Sequence, residues 1–165
     1  GKRKAIERIR KNPLIRALRC GKLTYAALEA TLKLYLSEKD LLKGHPTLKM
    51  LTTTVASLRR RGRNLLERLK DLVEEGVYLS QVESVAHTGS GALPLEEIPS
   101  VALGISWPGH SIGDLAARLR IHCPPVIGYL REGQLILDLR TLRADELGIV
   151  EEAVRWAVRE EKKKN

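Results

Sequence analysis

The chain has no phenylalanine, two tryptophans, one methionine and two cysteines in 165 residues, and each shortage removes a class of function. Without phenylalanine, and with Trp107 and Trp156 far apart, it lacks the stacking platform of a single-stranded RNA reader. Cys20 and Cys123 have neither metal-ligand nor redox spacing, which predicts reduced thiols in a reducing compartment. His45, His87, His110 and His122 are scattered, and His122-Cys123 is an adjacent pair that cannot close on one metal from a helix face, so no metal is expected. No run approaches the about 18 apolar residues of a membrane span, and the basic start has no apolar signal-peptide core. A soluble cytoplasmic protein is predicted, with no membrane association.

Acidic residues are scarce in one place. Lys2, Arg3, Lys4, Arg8, Arg10, Lys11, Arg16, Arg19 and Lys22 face only Glu7 in the first 22 residues, whereas the rest is nearly balanced apart from Lys162, Lys163 and Lys164. The net charge of +9 is therefore concentrated at one end, which fits either a polyanion-binding edge or a solvated helix. What is present in quantity is apolar sequence, 43% of the chain, enough for one compact domain that buries roughly 70% of its unfolded surface.

Ala5, Ile6 and Ile9 among basic residues predict a short amphipathic helix over 2–11, ended by Asn12-Pro13. Asn12 as cap, Pro13 at the first helical position and Gly21 at the end predict a second short helix with Arg16 and Arg19 side by side on one face. Two planar donor forks in that position match phosphate or carboxylate. Thr24 is read as the cap of a helix with Tyr25, Leu28, Leu32, Tyr35 and Leu36 on one face, a core or interface stripe, and a Glu29–Lys33 pair on another.

Residues 37–46 read as a loop around a turn of Leu41 and Leu42, with helix resuming at Pro46-Thr47. A long helix is predicted from Val55 to Glu75, stopped by Gly76, with Gly62 marking a close approach or a bend. Arg59, Arg60, Arg61 and Arg63 around that glycine form a solvated face or an RNA-backbone contact. Val77–Leu79 and Val82–Ala86 predict a strand with a bulge near Ser80-Gln81, and Val101, Leu103, Ile105 and Trp107 a second strand. A helix opened by Ser111, a hairpin about Glu132-Gly133 and a last helix over 144–159 complete an α+β fold with helices on one sheet face. No self-sufficient catalytic site is visible. Gly89-Ser90-Gly91-Ala92-Leu93-Pro94 lacks a nucleophile-elbow pattern, and no lysine, Lys22 included, stands out as an imine former.

The run Lys11-Asn12-Pro13-Leu14-Ile15-Arg16-Ala17-Leu18-Arg19, then Lys22-Leu23-Thr24 and Ala26-Ala27-Leu28-Glu29-Ala30-Thr31-Leu32, resembles the bacterial selenocysteine synthase family of L-seryl-tRNA(Sec) selenium transferases. Gly91-Ala92-Leu93-Pro94, Pro124-Pro125-Val126-Ile127-Gly128 and Leu137-Asp138-Leu139-Arg140-Thr141 continue the resemblance in order along nearly the whole chain. The chain departs from the family at Cys20-Gly21, where an aliphatic residue and Asp are usual, and at Ser90 within the glycine loop.

The resemblance implies a fold-type-I pyridoxal phosphate (PLP) enzyme whose Schiff-base lysine lies upstream of the matching part. Residues 1–52 would then be the tail of the PLP-binding large domain with connecting helices, and 53–165 a small mixed α/β sandwich domain like the C-terminal domain of such enzymes. It further implies a homo-oligomer acting on seryl-tRNA(Sec): water leaves the seryl side chain and selenophosphate adds to the resulting dehydroalanyl-tRNA. Arg16 and Arg19 match the family's active-site arginine pair, with the expected role of holding the phosphate-bearing selenium donor. PLP is expected in the complete enzyme and not on this piece, which is expected to be inactive alone. The rival reading is a free-standing basic module that docks RNA or a partner without catalysis.

Overall fold

The computed structural model describes residues 1–87 and 97–162, with 38–40 as backbone only. The chain forms two compact units, Gly1–Lys49 and Met50–Asn165.

The first unit is helical: α1 Arg3–Lys11, α2 Ile15–Leu18, α3 Lys22–Leu34 and α4 Glu38–Gly44, leading into α5 Pro46–Thr52. The segment read as a loop is thus largely helix. Gly44 and Pro46 looked like loop punctuation, but Gly44 closes α4 and Pro46 opens α5, where the missing N–H of proline costs nothing. His45 supplies the cap, its Nδ1 accepting the Leu48 N–H at 3.2 Å. The α3 stripe is open, with Tyr25, Leu28, Leu32 and Tyr35 each more than half exposed, and Glu29–Lys33 pairs at 2.7 Å.

The second unit is an α+β layer, as its sequence order implies. Thr54 caps α6, Val55–Leu69, by accepting the Ser57 N–H at 3.3 Å. A 3-10 turn, Lys70–Glu75, follows and Gly76 stops it at φ 79°, the left-handed backbone that favours glycine. The sheet contains β1 Tyr78–His87, β2 Glu97–Ser106, β3 Tyr129–Arg131 and β4 Gln134–Asp138, all antiparallel in the order β1-β2-β4-β3. Ser111 caps α7, Ile112–Ile121, and α8 runs Leu147–Lys162.

Leu58, Leu65 and Leu69 of α6, Leu115 and Leu119 of α7, and Val150, Val154 and Val158 of α8 bury the sheet face made by Val101, Leu103, Ile105, Leu135 and Leu137. Gly62 is there for close approach: a β-carbon would stand 2.5 Å from Gln81 Oε1 and 3.1 Å from Leu139 Cδ1. The other face is closed by side chains. Tyr129 of the edge strand reaches across to Ser84 on β1, OH to Oγ 3.3 Å, over the fully buried Ala102 and Ile136.

β1 has no bulge, because its pairing with β2 is continuous from Tyr78↔Ser106 to His87↔Glu97. The phase change in its sequence comes from burial on different faces: Leu79 packs on the helical core, whereas Val82 and Ser84 turn to the face under Tyr129. The hairpin turn is as read, Glu132 and Gly133 having φ 51° and 75°, the sign pattern of a type I′ turn.

The Asp138-Leu139-Arg140 stretch ties this unit together. Asp138 accepts from Ser100 Oγ at 2.7 Å, Ser84 Oγ at 2.9 Å and the Arg140 N–H at 2.9 Å. The buried Arg140 guanidinium donates to the carbonyls of Met50, Leu51 and Thr53, at and just past the last turn of α5, and to Pro99 O. A cation at a helix C-terminus also meets the negative end of its dipole.

Candidate anion site

The arginine segment is built differently from its sequence reading. Asn12 does not cap an α-helix; its Oδ1 accepts the Leu14 N–H at 3.0 Å and its carbonyl the Ile15 N–H at 3.1 Å, an Asx-type turn. The helix that follows, α2, is a single turn. Arg16 lies in it, but Arg19 is already past its end with extended backbone, φ −69° and ψ 140°. The two arginines therefore do not share a helix face. Leu18 N–H can still reach Leu14 O, but nothing beyond Arg19 continues the ladder, and Pro13 at the start removes another donor.

Gly21 has the opposite role from the one its position suggested. With φ −74° and ψ 167° it is the cap of α3, which starts at Lys22, so Thr24 falls within the first turn. No side chain caps that helix and no acid lies in its first turn. Arg19 thus leads directly to a bare helix N-terminus carrying Lys22, where backbone N–H groups and the dipole favour negative charge. This feature was in the sequence as a glycine followed by Lys-Leu-Thr, but the same glycine fits a helix stop equally well.

Both arginines are exposed, and among the described residues neither guanidinium has a hydrogen-bond or ionic partner. Guanidiniums without carboxylates keep their full capacity for an incoming anion, and phosphate suits their planar forks. Cys20, directly after Arg19, is an exposed free thiol.

The other cationic run divides. Arg59 pairs with Glu83 at 2.9 Å, and Arg61 donates to Leu142 O at 2.9 Å, so both serve the fold, whereas Arg60 and Arg63 are exposed. Several acids of the second unit are occupied as well. Asp71 receives both terminal nitrogens of Arg155, at 2.5 and 2.9 Å, which hold its carboxyl below the usual carboxylate range. Arg118 and Glu161 form a buried pair between α7 and α8, with His110 stacked on Trp107 beside them at 3.9 Å. Among the described residues no group of three or more His, Cys, Asp or Glu is placed to hold a metal. No helix among them is long and apolar enough to cross a membrane. The Gly89-Ser90-Gly91 loop and Lys163-Lys164 lie outside the described residues.

The sequence matches the family model for L-seryl-tRNA selenium transferase over residues 1–143. It is 40% identical over 155 residues to the L-seryl-tRNA(Sec) selenium transferase of Geobacter sulfurreducens, covering 94% of this chain and 34% of that protein. The protein of the same description from Edwardsiella ictaluri is 42% identical over 155 residues, 92% of this chain and 33% of its own length. That of Aquifex aeolicus is 37% identical over 154 residues, 93% and 33%. The chain spans about a third of the length of the curated relatives it matches. A family match that takes in α1 to β4, with the unpaired arginine segment inside it, places this chain in the L-seryl-tRNA selenium transferase family.

Proposed function

We propose that this chain is the C-terminal part of a cytoplasmic, homo-oligomeric, PLP-dependent enzyme that converts seryl-tRNA(Sec) to selenocysteyl-tRNA(Sec) with selenophosphate as donor. Residues 1–52 would be the end of its large domain and 53–165 its small domain. The observation that carries the reading is the family match across residues 1–143, which includes two exposed arginines with no acidic partner among the described residues.

PLP supplies the electron sink for eliminating a β-substituent from an amino acid, and it is held through a lysine imine in a shielded pocket. The described lysines do not fit that task. Lys2, Lys4, Lys11, Lys22, Lys33, Lys43 and Lys49 are exposed, and Lys70 and Lys162 are exposed and paired with Glu67 and Glu75. The imine lysine belongs, on this reading, to the part of the enzyme outside this chain, and the piece alone is inactive.

What this chain contributes is the anion hold. Arg16 and Arg19 donate to the phosphate oxygens of selenophosphate, and the bare start of α3 adds backbone N–H groups and a favourable dipole. A seryl ester to tRNA has no free carboxylate, so these donors are free for the donor's phosphate. The test is the full-length protein incubated with seryl-tRNA(Sec), PLP and selenophosphate. Selenocysteyl-tRNA(Sec) is the expected product, and RNA binding without conversion would favour a non-catalytic module instead.

A further inference from the structure

The cations of the first unit outnumber any need of its fold. Of the nine among residues 1–22, only Arg3 is paired, its Nε donating to Glu7 Oε1 at 2.9 Å. The others are exposed and, among the described residues, have no partner. Arg16, Arg19 and Lys22 surround the anion site described above. Lys2 and the α1 cations other than Arg3 lie upstream of it and are unaccounted for.

Helical periodicity sorts α1 into two faces. At 100° per residue Lys4, Arg8 and Lys11 fall within one stripe, spaced four and three residues apart, and Ala5, Ile6 and Ile9 fall on the opposite side. Ile6 and Ile9 are 46% and 51% exposed, so theirs is the face that apolar packing would cover in a longer protein. The Lys4-Arg8-Lys11 face is the one that such packing leaves in water. Three like charges held on one stripe repel one another, and the helix has a single acid beside them, Glu7, which is engaged by Arg3. Their steps along the axis are about 6 and 4.5 Å, the scale on which successive phosphates of one nucleic-acid strand can be met in turn.

We propose that Lys4, Arg8 and Lys11 form a phosphate track that binds the backbone of the tRNA substrate, separate from the Arg16 and Arg19 hold on the small donor. This inference rests on the selenium transferase reading for the identity of the RNA. The near absence of aromatic residues on this unit, Tyr25 and Tyr35 alone, fits backbone binding without base reading.

The experiment is a salt series of labelled seryl-tRNA(Sec) binding to the 165-residue chain, wild type against Lys4→Gln/Arg8→Gln/Lys11→Gln. Each phosphate contact contributes roughly 0.7–0.9 to the slope of log affinity against log salt. Loss of three should flatten the slope by about 2–3, so the wild type's affinity advantage shrinks roughly 20- to 40-fold between about 50 and 200 mM salt. The conservative variant Lys4→Arg/Arg8→Lys/Lys11→Arg should keep the wild-type slope. An unchanged slope in the neutral variant, or equal loss in the conservative one, would overturn the track. Tighter binding of polyglutamate than of tRNA by the wild type would overturn it in favour of an acidic protein partner. Selenium transfer by the full-length wild type, measured separately, tells the two proposals apart: transfer with an unchanged slope removes only the track, and a flattened slope without transfer removes only the enzyme reading.

Discussion

Replacing Arg140 with methionine keeps most of the side chain's length and removes all of its donors. The guanidinium is 5% exposed and reaches Met50 O at 2.7 Å, Thr53 O at 2.8 Å, Leu51 O at 3.3 Å and Pro99 O at 2.6 Å. The first three share the hydrogens of one terminal nitrogen, so the side chain makes about three full bonds rather than four. Each bond to a charged donor contributes ~1.5–3 kcal/mol, and a carbonyl left dry without a donor costs ~1–3 kcal/mol. Two effects reduce the sum. Leu51 is 36% exposed, so water can reach the end of α5, and removing the guanidinium also removes the cost of burying its charge. A net destabilisation of about 3 kcal/mol remains, a large share of the ~5–15 kcal/mol that holds a domain folded. Urea unfolding followed by the fluorescence of Trp107 and Trp156, both in the second unit, should show the midpoint falling by roughly 1–3 M. Arg140→Lys, a point charge without the fork, should recover less than half of the loss. A midpoint within ~0.3 M of wild type for the methionine variant would refute the reasoning, since solvent would then be satisfying these carbonyls already.

Two further outcomes follow from the second unit. The Asp71 carboxyl is depressed in the folded state, chiefly by hydrogen bonding from Arg155, so its contribution is present above the unfolded carboxyl's range and lost as pH falls through the folded value. The stability advantage of wild type over Asp71→Asn should therefore be seen at neutral pH and vanish in strong acid; an advantage that grows in acid would contradict the pairing. Gly133→Ala places a β-carbon in open space but at φ 75°, so only the backbone cost of about 1–2 kcal/mol should appear in thermal or urea unfolding. Glu132→Asn, at φ 51° in the same turn, should move stability the other way.

The parts of the fold that were legible are those where one local signal had one meaning. Gly76 after a long apolar-periodic helix, Ser111 before α7 and Glu132-Gly133 between two strands each specify a backbone that few other arrangements satisfy. Signals with two meanings were misread. Gly21 can end a helix or cap the next, and only the fold of 12–22 decides for the cap. Gly44-His45-Pro46 similarly joins two helices rather than opening a loop, because its histidine ring caps the second helix. The apparent slip at Ser80-Gln81 reflects an edge strand whose half-buried side chains fall on both faces, so that one alternating pattern does not describe it. At the candidate site the arginines were legible as an unpaired cationic pair, but not their geometry, because a one-turn helix has too little periodicity to fix a face.

Steady-state selenium transfer by the full-length enzyme, with selenophosphate varied against Arg16→Ala and Arg19→Ala, tests the anion hold most directly. Each substitution removes at least one charge-assisted hydrogen bond of ~1.5–3 kcal/mol, so kcat/KM for selenophosphate should fall at least about tenfold in each variant. Lys at either position should restore charge but not the fork, and bound PLP and the KM for seryl-tRNA(Sec) should stay near wild type. Wild-type kcat/KM for selenophosphate in both alanine variants would contradict the account.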